Sequence, residues 1–194
     1  MITVKINGEE RQYPQGATYE DVANDYQKEY DNLIALAARD GKIRELFKKL
    51  TRDCEITFFT LKDDVGNKTY VRSATMLFLK AVFDVFGRET VQNCRVEFAI
   101  GNGSYISPKG KINATEENAA KIRNRMRELV EAKTPFLKKS YSLDNAMELF
   151  RREGMKDKEK LFRYRRGSFV NIYEMDGYYD YYYGYMLPNA GYVK

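Results

Sequence analysis

The side chains of this chain that could move protons or hold an anion are carboxylates, lysines, arginines, sixteen tyrosines and two cysteines; histidine is absent from all 194 residues. Without it the commonest general base and metal ligand near neutral pH is missing, and a Ser-His-Asp or Cys-His arrangement is excluded. Cys54 and Cys94 stand alone with no CxxC pair, which leaves no zinc pattern. Catalysis would have to rest on carboxylates, lysines or tyrosines, and no metal or other cofactor is expected from these residues.

Two stretches concentrate the remaining chemistry. Gly177 to Tyr192 (GYYDYYYGYMLPNAGY) holds seven tyrosines. Such a run favours a strand, on which Tyr181 and Tyr183 would face one side and Tyr182 the other. An aromatic strand lying across a core is one reading; a groove wall whose rings stack on bases is the other. Lys156 to Arg166 (KDKEKLFRYRR) interleaves basic and aromatic residues. Arg163, Tyr164, Arg165 and Arg166 are therefore candidate contacts to a nucleic-acid backbone and its bases. The simpler alternative is a solvated helix face.

Composition sets the frame for these stretches. The chain is 43% hydrophobic and 31% charged, enough for a sizeable core. No apolar run approaches the roughly 18 residues of a membrane span, and the N-terminus lacks the basic and apolar regions of a signal peptide. A cytoplasmic protein with no membrane partner is expected. Residues 1–64 carry ten Lys/Arg against thirteen Asp/Glu, and the remainder 23 against 15. That asymmetry suggests two units and points the second toward a polyanion.

The elements that must position these residues follow in order. Ile2, Val4 and Ile6 alternate ahead of Asn7-Gly8, a hairpin signal, with Glu10–Tyr13 returning. Thr18 can cap a helix to about Tyr30. Leu33–Ala38, Ile43–Phe47 and Cys54–Leu61 read as strands, giving a small β-grasp, or ubiquitin-like, layout. Asp63–Lys68 is polar and reads as a boundary. Thr69–Phe86 is a helix that is apolar nearly all round, hence buried, and Gly87 stops it. Cys94–Ile100 alternates like a half-buried strand with Cys94, Val96 and Phe98 on one face, followed by a turn at Gly101–Gly103. Asn113 or Thr115 caps a helix over Glu116–Ala132, Phe136–Ser140 is a strand, Ser142 caps a helix ending at Gly154, and Ser168–Glu174 is a strand.

Residues 1–63, with their hairpin, helix and Ala37-Ala38-Arg39-Asp40-Gly41-Lys42, resemble the TGS domain at the front of threonyl-tRNA synthetases. Residues 64–194 resemble the second additional domain that follows it there and is shared with alanyl-tRNA synthetases. The likeness runs from the buried helix through Leu143–Gly154 to a closing segment in which Asp180, Gly184, Pro188 and Gly191 fit the framework. The resemblance implies an α+β protein, a β-grasp domain followed by an editing-like domain that hydrolyses mischarged tRNA. Its chemistry does not carry over. The two helix histidines of that family fall on Arg72 and Met76, its cysteine on Tyr182 and its last histidine on Met186. Arg72 cannot act as a base near neutral pH, and Met76 and Met186 transfer no protons. A groove kept as a shape is expected, with Arg72, Met76, Asp180, Tyr182 and Met186 as candidate ligand-binding positions and no catalytic residue.

The closing tyrosine segment is also similar to the front part of bacterial nucleoside kinases of the uridine kinase type, where these two domains precede a P-loop kinase domain. No G-x-x-x-x-G-K-[ST] occurs here; Gly101/Gly103 and Ser107–Lys111 lack its spacing. The kinase domain, with its ATP and Mg, is therefore expected outside these residues. The function implied is a non-catalytic accessory region of a nucleoside kinase, binding a nucleotide, RNA or its own kinase domain. The alternatives are a residual aminoacyl-tRNA deacylase or an N-terminal fragment of a tRNA synthetase, and a purely structural oligomerisation region.

Overall fold

The computed structural model describes residues 1–101, 103–108 and 112–194. Asn102 of the glycine turn and the Lys109–Lys111 part of the Ser107–Lys111 stretch lie outside the described residues. The chain divides into two compact units, Met1–Ala74 with Tyr183–Lys194, and Thr75–Tyr182.

In the first unit, strands β1 (Ile2–Ile6) and β2 (Glu9–Tyr13) pair antiparallel about Asn7-Gly8. Both turn residues have positive φ, 51° and 88°, the requirement of a type I′ hairpin. Helix α1 (Tyr19–Tyr26) begins at a capping box: Asp21 N donates to Thr18 Oγ1 at 3.1 Å and Thr18 N donates to the Asp21 carboxylate at 2.7 Å. Strands β3 (Ile34–Arg39) and β4 (Lys42–Glu45) form a second hairpin, and β5 (Cys54–Thr60) runs between β1 and β3, parallel to β1. The sheet order β2-β1-β5-β3-β4 is that of a β-grasp fold, as the sequence led one to expect. Tyr19, Val22, Ala23 and Tyr26 of α1 share a core with Ile2, Val4, Ile6, Ile56 and Phe58. Five successive β3 residues, Ile34 to Ala38, are buried, the mark of a strand covered on both faces. The C-terminal segment returns to this unit: Met186 N donates to the buried Glu45 carboxylate at 3.3 Å, and Tyr192 Oη to Glu20 at 2.9 Å.

Helix α2 spans Asp64–Phe86 and so starts one turn earlier than the apolar pattern suggests. Asp63 sets that start. Its carboxylate accepts from Thr60 N at 2.7 Å, and its carbonyl accepts from Asn67 N at 2.8 Å. The stretch that reads as a polar boundary is largely the solvent-facing first turn of a helix.

The second unit is α+β. After α2 come α3 (Arg88–Asn93), β6 (Arg95–Ile100), β7 (Gly103–Ser107), α4 (Glu116–Glu131), β8 (Leu137–Ser142), α5 (Leu143–Arg152), α6 (Lys156–Arg163), β9 (Phe169–Met175) and β10 (Tyr178–Asp180). Thr115 caps α4 and Ser142 caps α5 through their hydroxyls. Strands β10-β9-β8 form one antiparallel sheet and β6-β7 a separate ribbon. Ala146, Leu149 and Phe150 of α5, Phe162 of α6, and Val170 and Ile172 of β9 make the core. Two sequence expectations are corrected here. All six β6 residues are exposed, and the pairing slips between Val96 and Phe98; a bulge of this kind breaks the alternation that placed those two side chains on one face. The tyrosine run is not a long strand: an Asp176-Gly177 hairpin turns β9 into β10, and pairing ends at Asp180. Among the described residues no helix is long and apolar enough to cross a membrane.

Candidate functional site

The sequence-predicted positions fall in both units. In the first, the Arg72 guanidinium donates through Nη1 to the Tyr185 carbonyl at 3.1 Å. It lies flat against Gly184, whose φ is +131° and where an added Cβ would sit 2.6 Å from Arg72 Cζ. Only glycine leaves room for that approach. Next on α2, Ser73 Oγ donates to the Thr69 carbonyl at 2.9 Å, lies 3.5 Å from Met186 Sδ, and accepts from Leu187 N at 2.9 Å. Met186 is fully buried. Arg72 and Met186 are thus brought to one place, beside the segment Gly184–Leu187. Neither side chain is itself a base; the carboxylate here is the buried Glu45, which accepts from Met186 N.

In the second unit Met76 is fully buried, and Asp180 with Tyr182 closes the tyrosine segment. The Asp180 carboxylate is buried and receives three donors. Lys158 Nζ pairs with Oδ1, Tyr181 N donates to Oδ1 at 2.7 Å, and Tyr178 Oη donates to Oδ2 at 3.2 Å. The Tyr182 hydroxyl is buried beside it without meeting the geometry of a hydrogen bond. Burial, then the Asp180 charge, hold both the Tyr178 and Tyr182 phenols well above their ordinary range. The carboxylate's oxygens are taken up by an ammonium and two further donors, and phenols held protonated are poor nucleophiles. Lys158 is the member that residue patterns do not single out, because Lys156–Arg166 presents it among five other basic residues.

The basic and aromatic candidates separate. Arg165 is engaged: Nη1 donates to Tyr181 Oη at 2.8 Å, and its guanidinium lies over the Phe162 and Tyr181 rings. Arg163, Tyr164 and Arg166 are exposed. Phe169, which sequence reasoning passes over as a strand residue, is exposed as well. Elsewhere in this unit, Phe78, Val82, Cys94, Ile106, Ile122 and Met126 help line an apolar cavity of about 520 Å³ that none of the predicted site residues reaches. Burial pushes the Cys94 thiol up, away from reactivity. Among the described residues no three Cys, Asp or Glu side chains gather as a metal site would need.

Comparison with known proteins gives one consistent result. The chain is 30% identical over 198 aligned residues to the threonine–tRNA ligase of Thermotoga maritima, a match covering all of this chain and 30% of that protein. The threonine–tRNA ligases of Maricaulis maris and Porphyromonas gingivalis are 28% and 23% identical, covering 98% and 100% of this chain and 30% of each relative. The chain therefore spans about 30% of the length of these relatives and is similar to their N-terminal region. No family model matches. These relatives lend nothing to the nucleoside-kinase parentage expected from the closing tyrosine segment.

Proposed function

We propose that this chain is the N-terminal, tRNA-handling region of a threonyl-tRNA synthetase-type protein, in which the editing-type chemistry is absent and binding remains. The state of Asp180 is the observation that carries this reading. It is the one carboxylate among the five candidate groove positions, and Lys158, Tyr178 and the Tyr181 amide hold it. Arg72, Met76, Tyr182 and Met186 supply no substitute base. Similarity over all of this chain to the N-terminal region of threonine–tRNA ligases supports tRNA as the partner, as does the basic second unit. The reading as an accessory of a nucleoside kinase rests on the closing segment alone and is the weaker of the two.

Incubation with mischarged tRNA is the test. Release of the amino acid is expected to proceed no faster than in buffer, while the tRNA is retarded by the protein on a native gel. Protein-dependent release that disappears in Asp180→Asn would overturn the proposal, and so would an absence of any tRNA complex.

A further inference from the structure

We infer that residues 163–169, from the last residue of α6 through the connecting loop to the first of β9, are a contact surface for unpaired RNA, with Tyr164 and Phe169 as stacking faces and Arg163 and Arg166 on the phosphates. The inference rests on the reading of the chain as a tRNA-handling region and adds where and how the RNA is held. Every residue from Arg163 to Phe169 is exposed, Tyr164 by 85% and Phe169 by 67%. Large apolar rings so open to water on an ordered loop call for a partner. Among the described residues the Arg163, Tyr164, Arg166 and Phe169 side chains make no hydrogen bond, ion pair or ring contact.

The loop is nonetheless anchored. Arg165 braces it from within, over Phe162 and bonded to Tyr181, and the Ser168 carbonyl accepts from Leu143 N at 3.1 Å. Two free rings and two free guanidinium groups are therefore presented from a fixed base, which lowers the ordering cost of binding.

Charge selects the class of partner. Between Glu159 and Glu174 there are four basic residues and no carboxylate, which suits a polyanion. The rings select its form. In an A-form duplex the bases are stacked on one another and recognition runs through backbone and 2′-hydroxyls, whereas unpaired bases can lie on exposed aromatic faces.

Fluorescence anisotropy would test this with a labelled single-stranded RNA, the same strand in a duplex, and intact tRNA. The proteins compared are the unaltered chain, Tyr164→Ala/Phe169→Ala, Arg163→Ala/Arg166→Ala, and Lys121→Ala as a basic surface control. The aromatic pair should weaken single-strand binding about tenfold or more and duplex binding little. The arginine pair should weaken both and lower the salt slope by about 2, and the control should change neither. Thermal melts should change little, since the four side chains are exposed and make no hydrogen bond, ion pair or ring contact among the described residues. If tRNA binds but both pairs behave like the unaltered chain, this loop is not the contact and the tRNA-handling reading stands. Equal loss of duplex and single-strand binding in the aromatic pair overturns the unpaired mode. Failure of every RNA to bind removes both readings, as does retention on anionic lipid vesicles in place of RNA.

Discussion

At the scale of single residues, Arg72 and Gly184 form a matched pair. Arg72 could be singled out from sequence because an arginine stands where the resemblance places a histidine. Its hydrogen-bond partner could not, since a carbonyl acceptor 113 residues away leaves no trace in residue type. Gly184→Ala would place a Cβ at a φ that L-residues avoid and against the guanidinium, and should cost about 1–3 kcal/mol. Arg72→Ala removes the obstruction but not the backbone strain. Chemical denaturation of the two single variants and the double should therefore show a combined loss smaller than the sum. Strict additivity would mean that the guanidinium does not press on residue 184.

At the scale of elements, most boundaries were written locally, and the exceptions have physical causes. Thr18, Thr115 and Ser142 could be read as caps because a hydroxyl ahead of a helical pattern has one dominant use. The Asp63–Lys68 turn was misread because exposed first turns of helices and linkers share a polar composition. The slip in β6 was invisible because an inserted residue preserves composition while shifting register. Inside α2, Lys80 interrupts an otherwise apolar run, and the structure explains its presence. The side chain is 3% exposed; Nζ donates to Asp84 Oδ1 and to the Asp176 carbonyl, both at 2.7 Å. The pair is extended by Arg125, which donates to Asp84 at 2.8 Å. Lys80→Met keeps the bulk of the stem but leaves both acceptors without this donor, and should lower stability by about 2–4 kcal/mol. A melt shifted by less than a degree would show that the ammonium contributes nothing to α2.

At the scale of the whole molecule, charge is partitioned differently from what the linear count suggests. The second unit holds twenty Lys/Arg and fifteen Asp/Glu, the first thirteen of each, so the entire net charge of +5 falls on Thr75–Tyr182. A sequence split at residue 64 overstates the asymmetry, because Lys68, Arg72 and Lys194 all belong to the first unit. The tyrosines impose a second global property. Tyr178 and Tyr182 in the second unit, and Tyr13 and Tyr192 in the first, are all held above their ordinary values chiefly by burial. The unfolded chain therefore loses its phenolic protons first. Their contribution is complete below about pH 10 and declines as pH rises through the alkaline range. Urea midpoints measured at increasing pH should fall more gently in Tyr178→Phe/Tyr182→Phe than in the unaltered chain; parallel curves would contradict the assignment.

The discontinuity of the first unit also bears on biosynthesis. The β-grasp strands are made before the second unit, but the stretch that supplies the amide for Glu45 and the phenol for Glu20 follows it. An intervening body of more than one hundred residues must be translated in between. Until then the Glu45 and Glu20 carboxylates lack these donors, so the first unit is completed only after the whole of the second has been made.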